Sequence, residues 1–326
     1  MTPREYNHDF AWINHFGGGL HGPRLGGLRP SSRAFETAVR AFQADVGLDV
    51  DGYFGPKTLA EHTRIYGPPS RCAHGIDISG HQREDDHNES TDSLDEIHFE
   101  ELQNAGFSFA IIKALQGEGV EAERCRDHTT NAEATDMAVG HYHFAMPRPF
   151  DPGSARRQAV RFSEVMSEYT YDRLIPAVDV ENKGYKQRTT DDGRKLDECV
   201  YGQRMYDLWR GGTESRLEYV RLMSTWFAEY LDHVDRLFGC APLLYSYPSF
   251  LRKRIDVDAV GQIIFECPLW IAAYTMQDPR QPYAIDGRFN IVVQQWTSDG
   301  DDRTRPIFDH GLDLNRAPWG LCSITR

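Results

Sequence analysis

The pattern of hydrophobic positions changes character once along the chain, near residue 70. Between Ser31 and Gly47 the apolar residues Phe35, Ala38, Val39, Phe42 and Val46 recur at helical spacing, which predicts an amphipathic helix stopped by Gly47. Asp51-Gly52 predicts a turn. Gly55-Pro56-Lys57-Thr58-Leu59-Ala60 then predicts a second helix, with Pro early, where its missing N–H costs nothing. Residues 1–70 therefore read as a small all-α helical bundle, with Pro68-Pro69-Ser70 as a linker.

From residue 71 to 326 short apolar runs alternate with helical patterns. The runs predict strands at Gly75 to Ser79, Phe107 to Ala114, Val139 to Phe144, Leu174 to Glu181, Pro242 to Tyr247, Leu269 to Tyr274 and Ile291 to Trp296, with a weaker one ending at Leu314. Helices are predicted at Leu94 to Asn104, Ala155 to Glu168 and Arg216 to Phe238, the last with Val220, Met223, Phe227, Tyr230, Leu231, Val234 and Leu237 on one stripe. Such an order predicts an α/β fold: an irregular TIM-like β/α barrel of about eight strands, with fewer helices in its second half.

Three of these strands carry acids where a buried strand should be apolar. Val178-Asp179-Val180-Glu181 places two carboxylates on one strand face with valines on the other, because side chains alternate with period two. Gly75-Ile76-Asp77-Ile78-Ser79 and Gly311-Leu312-Asp313-Leu314-Asn315 repeat the arrangement with one acid each. Burying a charge without a partner costs several kcal/mol. If the strands close into one sheet, their aliphatics face covering helices and the four acids meet at the strand C-termini. Three unrelated edge strands with solvated acids are the alternative, and the repetition argues against it.

Composition narrows the partners. The net charge of −13, from 49 acids against 36 bases, disfavours electrostatic binding to nucleic acid or anionic lipid. Arg83 to Glu96 is strongly acidic, and Asn182 to Glu214 forms a long charged segment directly after Glu181. On that side of a barrel it is either a wall of the cleft or a solvated insertion. No apolar run approaches the roughly 18 residues of a membrane span. Cys72, Cys125, Cys199, Cys240, Cys267 and Cys322 lack metal-ligand spacing and are expected as free thiols. The first residues show no apolar signal segment, which implies synthesis in a cytoplasm.

Two acids at i and i+2 on a strand suit glycosidic bond hydrolysis, which needs a protonated carboxyl for the leaving oxygen and a second carboxylate for the oxocarbenium-like transition state. Tyr142, Tyr245, Tyr247, Trp270, Tyr274 and Trp296 lie near predicted strand ends, where flat rings can stack on sugars. His141 and His143 share a strand face, but no third ligand is suitably spaced, so hydrogen-bonded histidines are expected rather than a metal pair.

Two resemblances sharpen these expectations. Ala38-Val39-Arg40-Ala41-Phe42-Gln43, Gly47-Leu48, Val50-Asp51-Gly52, Phe54-Gly55 and Lys57-Thr58-Leu59 resemble the peptidoglycan-binding-domain-1 family of small wall-docking bundles, while Met1 to Pro30 matches it only loosely. Because the module lacks a basic recognition face, a DNA-reading helix-turn-helix is disfavoured. Gly75 to Gln82, Phe109 to Ala114, Gly140 to Ala145, Pro176 to Glu181, Pro242 to Phe250, Leu269 to Tyr274, Gln295 to Gly300 and Gly311 to Asn315 together resemble glycoside hydrolase family 25, the Chalaropsis-type muramidases.

The second resemblance implies an irregular β/α barrel that cleaves the β-1,4 bond between N-acetylmuramic acid and N-acetylglucosamine. It implies Glu181 as general acid, Asp179 as its partner, Asp77 and Asp313 as flanking acids, and Gln295 among the substrate-binding residues. No metal or organic cofactor and no obligate protein partner is implied. Where the family has a small hydroxyl residue and Glu, this chain reads Leu115-Gln116, and a Trp-Gln-aromatic triplet is replaced by Gln294-Gln295-Trp296. Anchor plus muramidase, made without a signal segment, resembles a phage endolysin. A bacterial autolysin, a non-catalytic wall binder and a chitinase-type glycosidase are the rivals, the last disfavoured because Ala177 stands where its first acid belongs.

Overall fold

The structure, a computed structural model, describes residues 1–7, 32–66, 73–79, 97–122, 124–169, 174–181, 186–189, 195–198, 203–274, 286–301, 304, 312–317 and 324. The acidic stretch 83–96, the linker 68–70, the segment 8–31 and Cys72, Cys199 and Cys322 lie outside the described residues.

In the N-terminal region the helix Arg33–Asp45 starts at Ser32, whose Oγ accepts the Phe35 N–H at 3.0 Å. Phe35, Val39 and Phe42 are buried with Phe54 from the following turn. Gln43 ties the turn down: its Oε1 accepts from Gly52 N at 2.9 Å and its Nε2 donates to Tyr53 O at 3.0 Å. The second helix, Pro56–Tyr66, opens on the proline as predicted.

Among the described residues eleven strands follow in chain order: β1 (Ala73–Ile78), β2 (Phe109–Gln116), β3 (Val120–Glu121), β4 (Ala138–Phe144), β5 (Ala177–Asp179), β6 (Lys186–Thr189), β7 (Lys195–Glu198), β8 (Leu243–Ser246), β9 (Leu269–Ala272), β10 (Ile291–Thr297) and β11 (Asp313–Ala317). Eight of them close a barrel in the order β1, β2, β4, β5, β8, β9, β10, β11, and back to β1. Every neighbouring pair is parallel except the two made by β11, which runs against both β10 and β1.

That reversal corrects one expectation. Asp313 does not end its strand but opens it, and it reaches the same mouth as the other acids because β11 enters the barrel from that side.

Period-two alternation sorts the barrel into two apolar layers. Ile76, Ile78, Val178, Val180, Leu312 and Leu314 pack outward against helix residues such as Leu102, Phe162, Phe227 and Val234. Phe109, Ile111, Tyr142, Ala177, Leu243, Tyr245, Trp270 and Val293 fill the interior. Each fully buried Val, Leu, Ile or Phe among them contributes roughly 1.5–3 kcal/mol relative to exposure. Gly75 is required by this filling, since a Cβ there would sit 2.3 Å from the Phe109 ring.

The long helix spans Thr213–Phe238 and presents its predicted stripe to the barrel, except that Leu237 is 44% exposed in the last turn. Trp226 also lies on the buried face, donating its indole N–H to Ser154 Oγ at 2.8 Å. The predicted helix from Leu94 begins only at Phe99, and that from Ala155 runs Ser154–Met166. After Tyr247 the connection from β8 to β9 is made of short helices, Pro248–Lys253, Val257–Val260 and Ile263–Glu266.

The segment after Glu181 has more order than its polarity suggests. β6 and β7 form an antiparallel hairpin, and the helix Gln203–Arg210 follows. Met205 is fully buried, Trp209 meets Tyr219 edge-on at 5.2 Å, and Arg204 lies over the Phe150 ring at 3.8 Å. These contacts fasten the end of the insertion to the barrel.

Candidate active site

Asp77 sits on β1 with its neighbours Ile76 and Ile78 turned to the helices, so period two aims its carboxyl into the barrel. It is 7% exposed. Its Oδ2 accepts two amide donors, Gln295 Nε2 and Asn315 Nδ2, each at 2.7 Å. Those amides are themselves held. Trp270 Nε1 donates to Asn315 Oδ1 at 2.7 Å, and the Tyr245 and Tyr274 hydroxyls donate to Gln295 Oε1 at 2.9 and 2.6 Å.

Asp179 ends β5 and is 6% exposed. β5 is only three residues long, shorter than the predicted run to Glu181, yet the chain stays extended beyond it. Val180 N donates to Tyr245 O at 3.1 Å and Ser246 Oγ donates to Val180 O at 2.9 Å, which carries Glu181 along the barrel rim. Glu181 is only partly buried.

The four acids converge. Asp77 and Asp313 are direct partners in the β1–β11 register. Burial, then the Asp313 charge and more weakly that of Glu181, push the Asp77 carboxyl well above the usual range, against the pull of the Asn315 and Gln295 hydrogen bonds. Tyr142 feels all four: burial first, then Asp179, Asp77, Asp313 and Glu181 raise its phenol well above the ordinary value. Tyr245 responds in the same way to burial, Asp179, Asp77 and Glu181.

The aromatic residues divide into three groups. Tyr274 is 51% exposed at the end of β9, with its hydroxyl on Gln295, and offers a ring face to the cleft. Tyr142 and Tyr245 line the floor below the acids, both packed against Trp270. Trp270 itself is 1% exposed, so it supports the floor and has no free face for a sugar. Tyr247 and Trp296 are the clearest departure from the expected sugar wall, since both pack against the outer, helix-facing layer. Tyr247 lies past the end of β8 and folds onto Phe250, while Trp296 falls at a register shift in the β10–β11 pairing, on the face opposite Gln295.

Several residues acquire roles that their positions alone did not announce. Asn315 was legible only as a strand residue two positions from Asp313, on the same face, and that periodicity is the signal that would have found it. Gln295 braces Asp77. Gln294 clasps three strands, donating to Ala273 O at 3.0 Å and accepting from Arg316 at 2.6 Å. In place of the family's acid, Gln116 accepts from Lys113 Nζ at 2.7 Å.

The two histidines face the helices. His141 Nε2 bonds Thr129 Oγ1 at 2.8 Å, and His143 bonds Tyr230 and Gly117 O. Burial lowers them to about 4 and about 3, so both are neutral structural groups at pH 7.

The family model described as glycosyl hydrolases family 25 matches residues 76–304, from within β1 through β10. The chain belongs to that family. A peptidoglycan binding domain model matches residues 31–61, over the helix Arg33–Asp45 and the first half of Pro56–Tyr66. Lysozyme M1 of Streptomyces globisporus is 33% identical over 168 residues, covering 48% of this chain and 54% of its own. The chain thus spans about half the length of this curated relative.

Among solved structures, the bacterial lysozyme from Streptomyces coelicolor superposes with a TM-score of 0.50 at 17% identity, over 77% of this chain and 97% of the other. A family GH25 lysozyme from Aspergillus fumigatus gives 0.50 at 21%, over 76% and 93%. At these identities the likeness establishes the family 25 barrel.

Proposed function

We propose that the protein is a peptidoglycan-hydrolysing muramidase, with residues 71–326 as the catalytic barrel and residues 1–70 as a wall-binding domain. The observation that carries this reading is the meeting of Asp77, Asp179, Glu181 and Asp313 at one barrel mouth in a family 25 chain. Glu181 gives its proton to the leaving oxygen as the bond from the N-acetylmuramic acid anomeric carbon breaks. Asp179, two residues away, supplies the second carboxylate for the positive charge that develops on the sugar, and water completes the hydrolysis. Tyr274 stacks on the substrate, and Tyr142, Tyr245 and Gln295 shape the floor beneath it.

Mass spectrometry of digested walls tests the reaction. New reducing N-acetylmuramic acid ends are expected. Reducing N-acetylglucosamine ends, free peptides or undigested wall would each reject it.

Removing residues 1–70 is expected to weaken sedimentation with purified walls while hydrolysis of small soluble muropeptides persists. Equal sedimentation of both forms would remove the anchor from the proposal. The setting we favour is that of an endolysin acting from inside the host cell. Expression in a bacterial cytosol should then lyse cells only after the membrane is permeabilised, whereas spontaneous lysis would favour an exported autolysin.

A further inference from the structure

Asp77 and Asp313 face each other directly across the antiparallel β1–β11 pair. Residues opposed in this way project to one face with Cα atoms roughly 4.5–5.5 Å apart, where like charges repel. Two carboxyls so placed do not both ionise in the ordinary acid range.

Their surroundings break the symmetry between them. Asp77 is the more buried, whereas Asp313 is partly exposed. Both donors to Asp77 arrive on Oδ2, and their direction is fixed. An indole N–H can only donate, so Trp270 sets Asn315 with its Oδ1 toward the indole and its Nδ2 toward Asp77. The two tyrosine hydroxyls set Gln295 likewise. Oδ2 is therefore an acceptor, and Oδ1 is the atom left to carry a proton.

Other titratable groups on the neighbouring strands face or flank the pair. Glu181 adds to its charge. The phenols of Tyr142, Tyr245 and Tyr274 are raised by burial and by these same acids, and so stay neutral. Lys113, on the adjacent β2, places its Nζ on Gln116 and over the Phe144 ring, and Arg316 on β11 is bonded to Gln294.

We propose that Asp77 and Asp313 form a carboxyl pair holding one proton, seated on Oδ1 of Asp77 and shared toward Asp313, so that Asp77 meets the sugar as a hydrogen-bond donor. Gln295, Asn315 and, through them, Trp270, Tyr245 and Tyr274 are positioning residues for that proton. This deepens the muramidase reading and rests on it for the identity of the sugar, but the proton belongs to the free enzyme and is measurable without substrate.

The stability consequence has a definite sign. Burial and the Asp313 charge raise Asp77, so the folded chain keeps a proton that the unfolded chain has lost. The stabilisation is fully present below the unfolded carboxyl range and is lost as pH rises through the pair's titration.

The test is a pH titration of the full chain carrying carbon-13 at its aspartate carboxyls. One aspartate signal is expected to titrate well above the ordinary carboxyl range, to vanish in Asp77→Asn, and to move down in Asp313→Asn as the facing charge is removed. Wild type in which every aspartate titrates in the ordinary range overturns the pair, as does an Asp77 signal unmoved by Asp313→Asn. Thermal melts give a second readout. The midpoint of Asp77→Asn relative to wild type should rise with pH across the titration, and a constant offset would also reject the proposal. Wall digestion by the wild type separates failure of the pair from failure of the muramidase reading.

Discussion

Glu181→Gln is expected to lower wall hydrolysis by about 10²- to 10⁴-fold, the usual contribution of a positioned general acid, without disturbing the fold. Glutamine matches the shape of glutamic acid but has no proton of useful acidity. Glu181 lies beyond the last paired residue of β5 and is only partly buried, so its replacement leaves the core intact. Release of reducing sugar from purified walls reads the loss, and sedimentation with walls should be unchanged. Lysis at the wild-type rate would remove Glu181 from the chemistry, and a variant that also failed to bind walls would point to a folding defect instead.

Trp270→Ala is expected to cost about 3–5 kcal/mol of stability, the range for deleting a large buried aromatic. The indole is 1% exposed and packs edge-on against Tyr142 and Tyr245, at centroid distances of 6.2 and 4.6 Å. Its loss empties the barrel floor and strips Asn315 Oδ1 of its donor. Trp270→Phe separates the two effects. Most of the ring remains, and the leftover cost should fall to about 1–3 kcal/mol, as for a buried acceptor without a partner. Denaturant midpoints measure both. Equal destabilisation by Ala and Phe would mean the hydrogen bond outweighs the packing, contrary to the geometry described above.

Strands were readable wherever one face had to be apolar. Ile76, Ile78, Val178 and Val180 alternate with acids because one face meets helices and the other the mouth, and that pattern survives without tertiary information. The helix Cys125–Glu133 was not readable. Its buried residues Cys125, His128, Thr129 and Ala132 are mostly polar or small, so no hydrophobic stripe announces it. The insertion after Glu181 hid a hairpin and a helix for the same reason, since Met205, Leu208 and Trp209 are its few apolar anchors among charged neighbours.

Within the candidate site, the four acids were found as motifs, whereas the aromatic residues were only sorted by the structure. Tyr274, Trp270 and Trp296 all stand near strand ends in sequence. One is exposed, one sealed beneath the floor, and one turned to the helices. A register shift beside Trp296 decides its side, and register depends on pairing with β11, which lies outside any local window.

By itself the sequence determined which strands carry the acids and which strand faces those acids share, because side-chain alternation is a local property of extended backbone. Tertiary structure decided that β11 enters the barrel in reverse, that Asp313 thereby faces Asp77, and that Gln295, Asn315 and Trp270 brace the same carboxyl. Gln295 and Asn315 stand more than two hundred positions from Asp77, and only closure of the barrel, driven by burial of its two apolar layers, brings them within hydrogen-bonding reach.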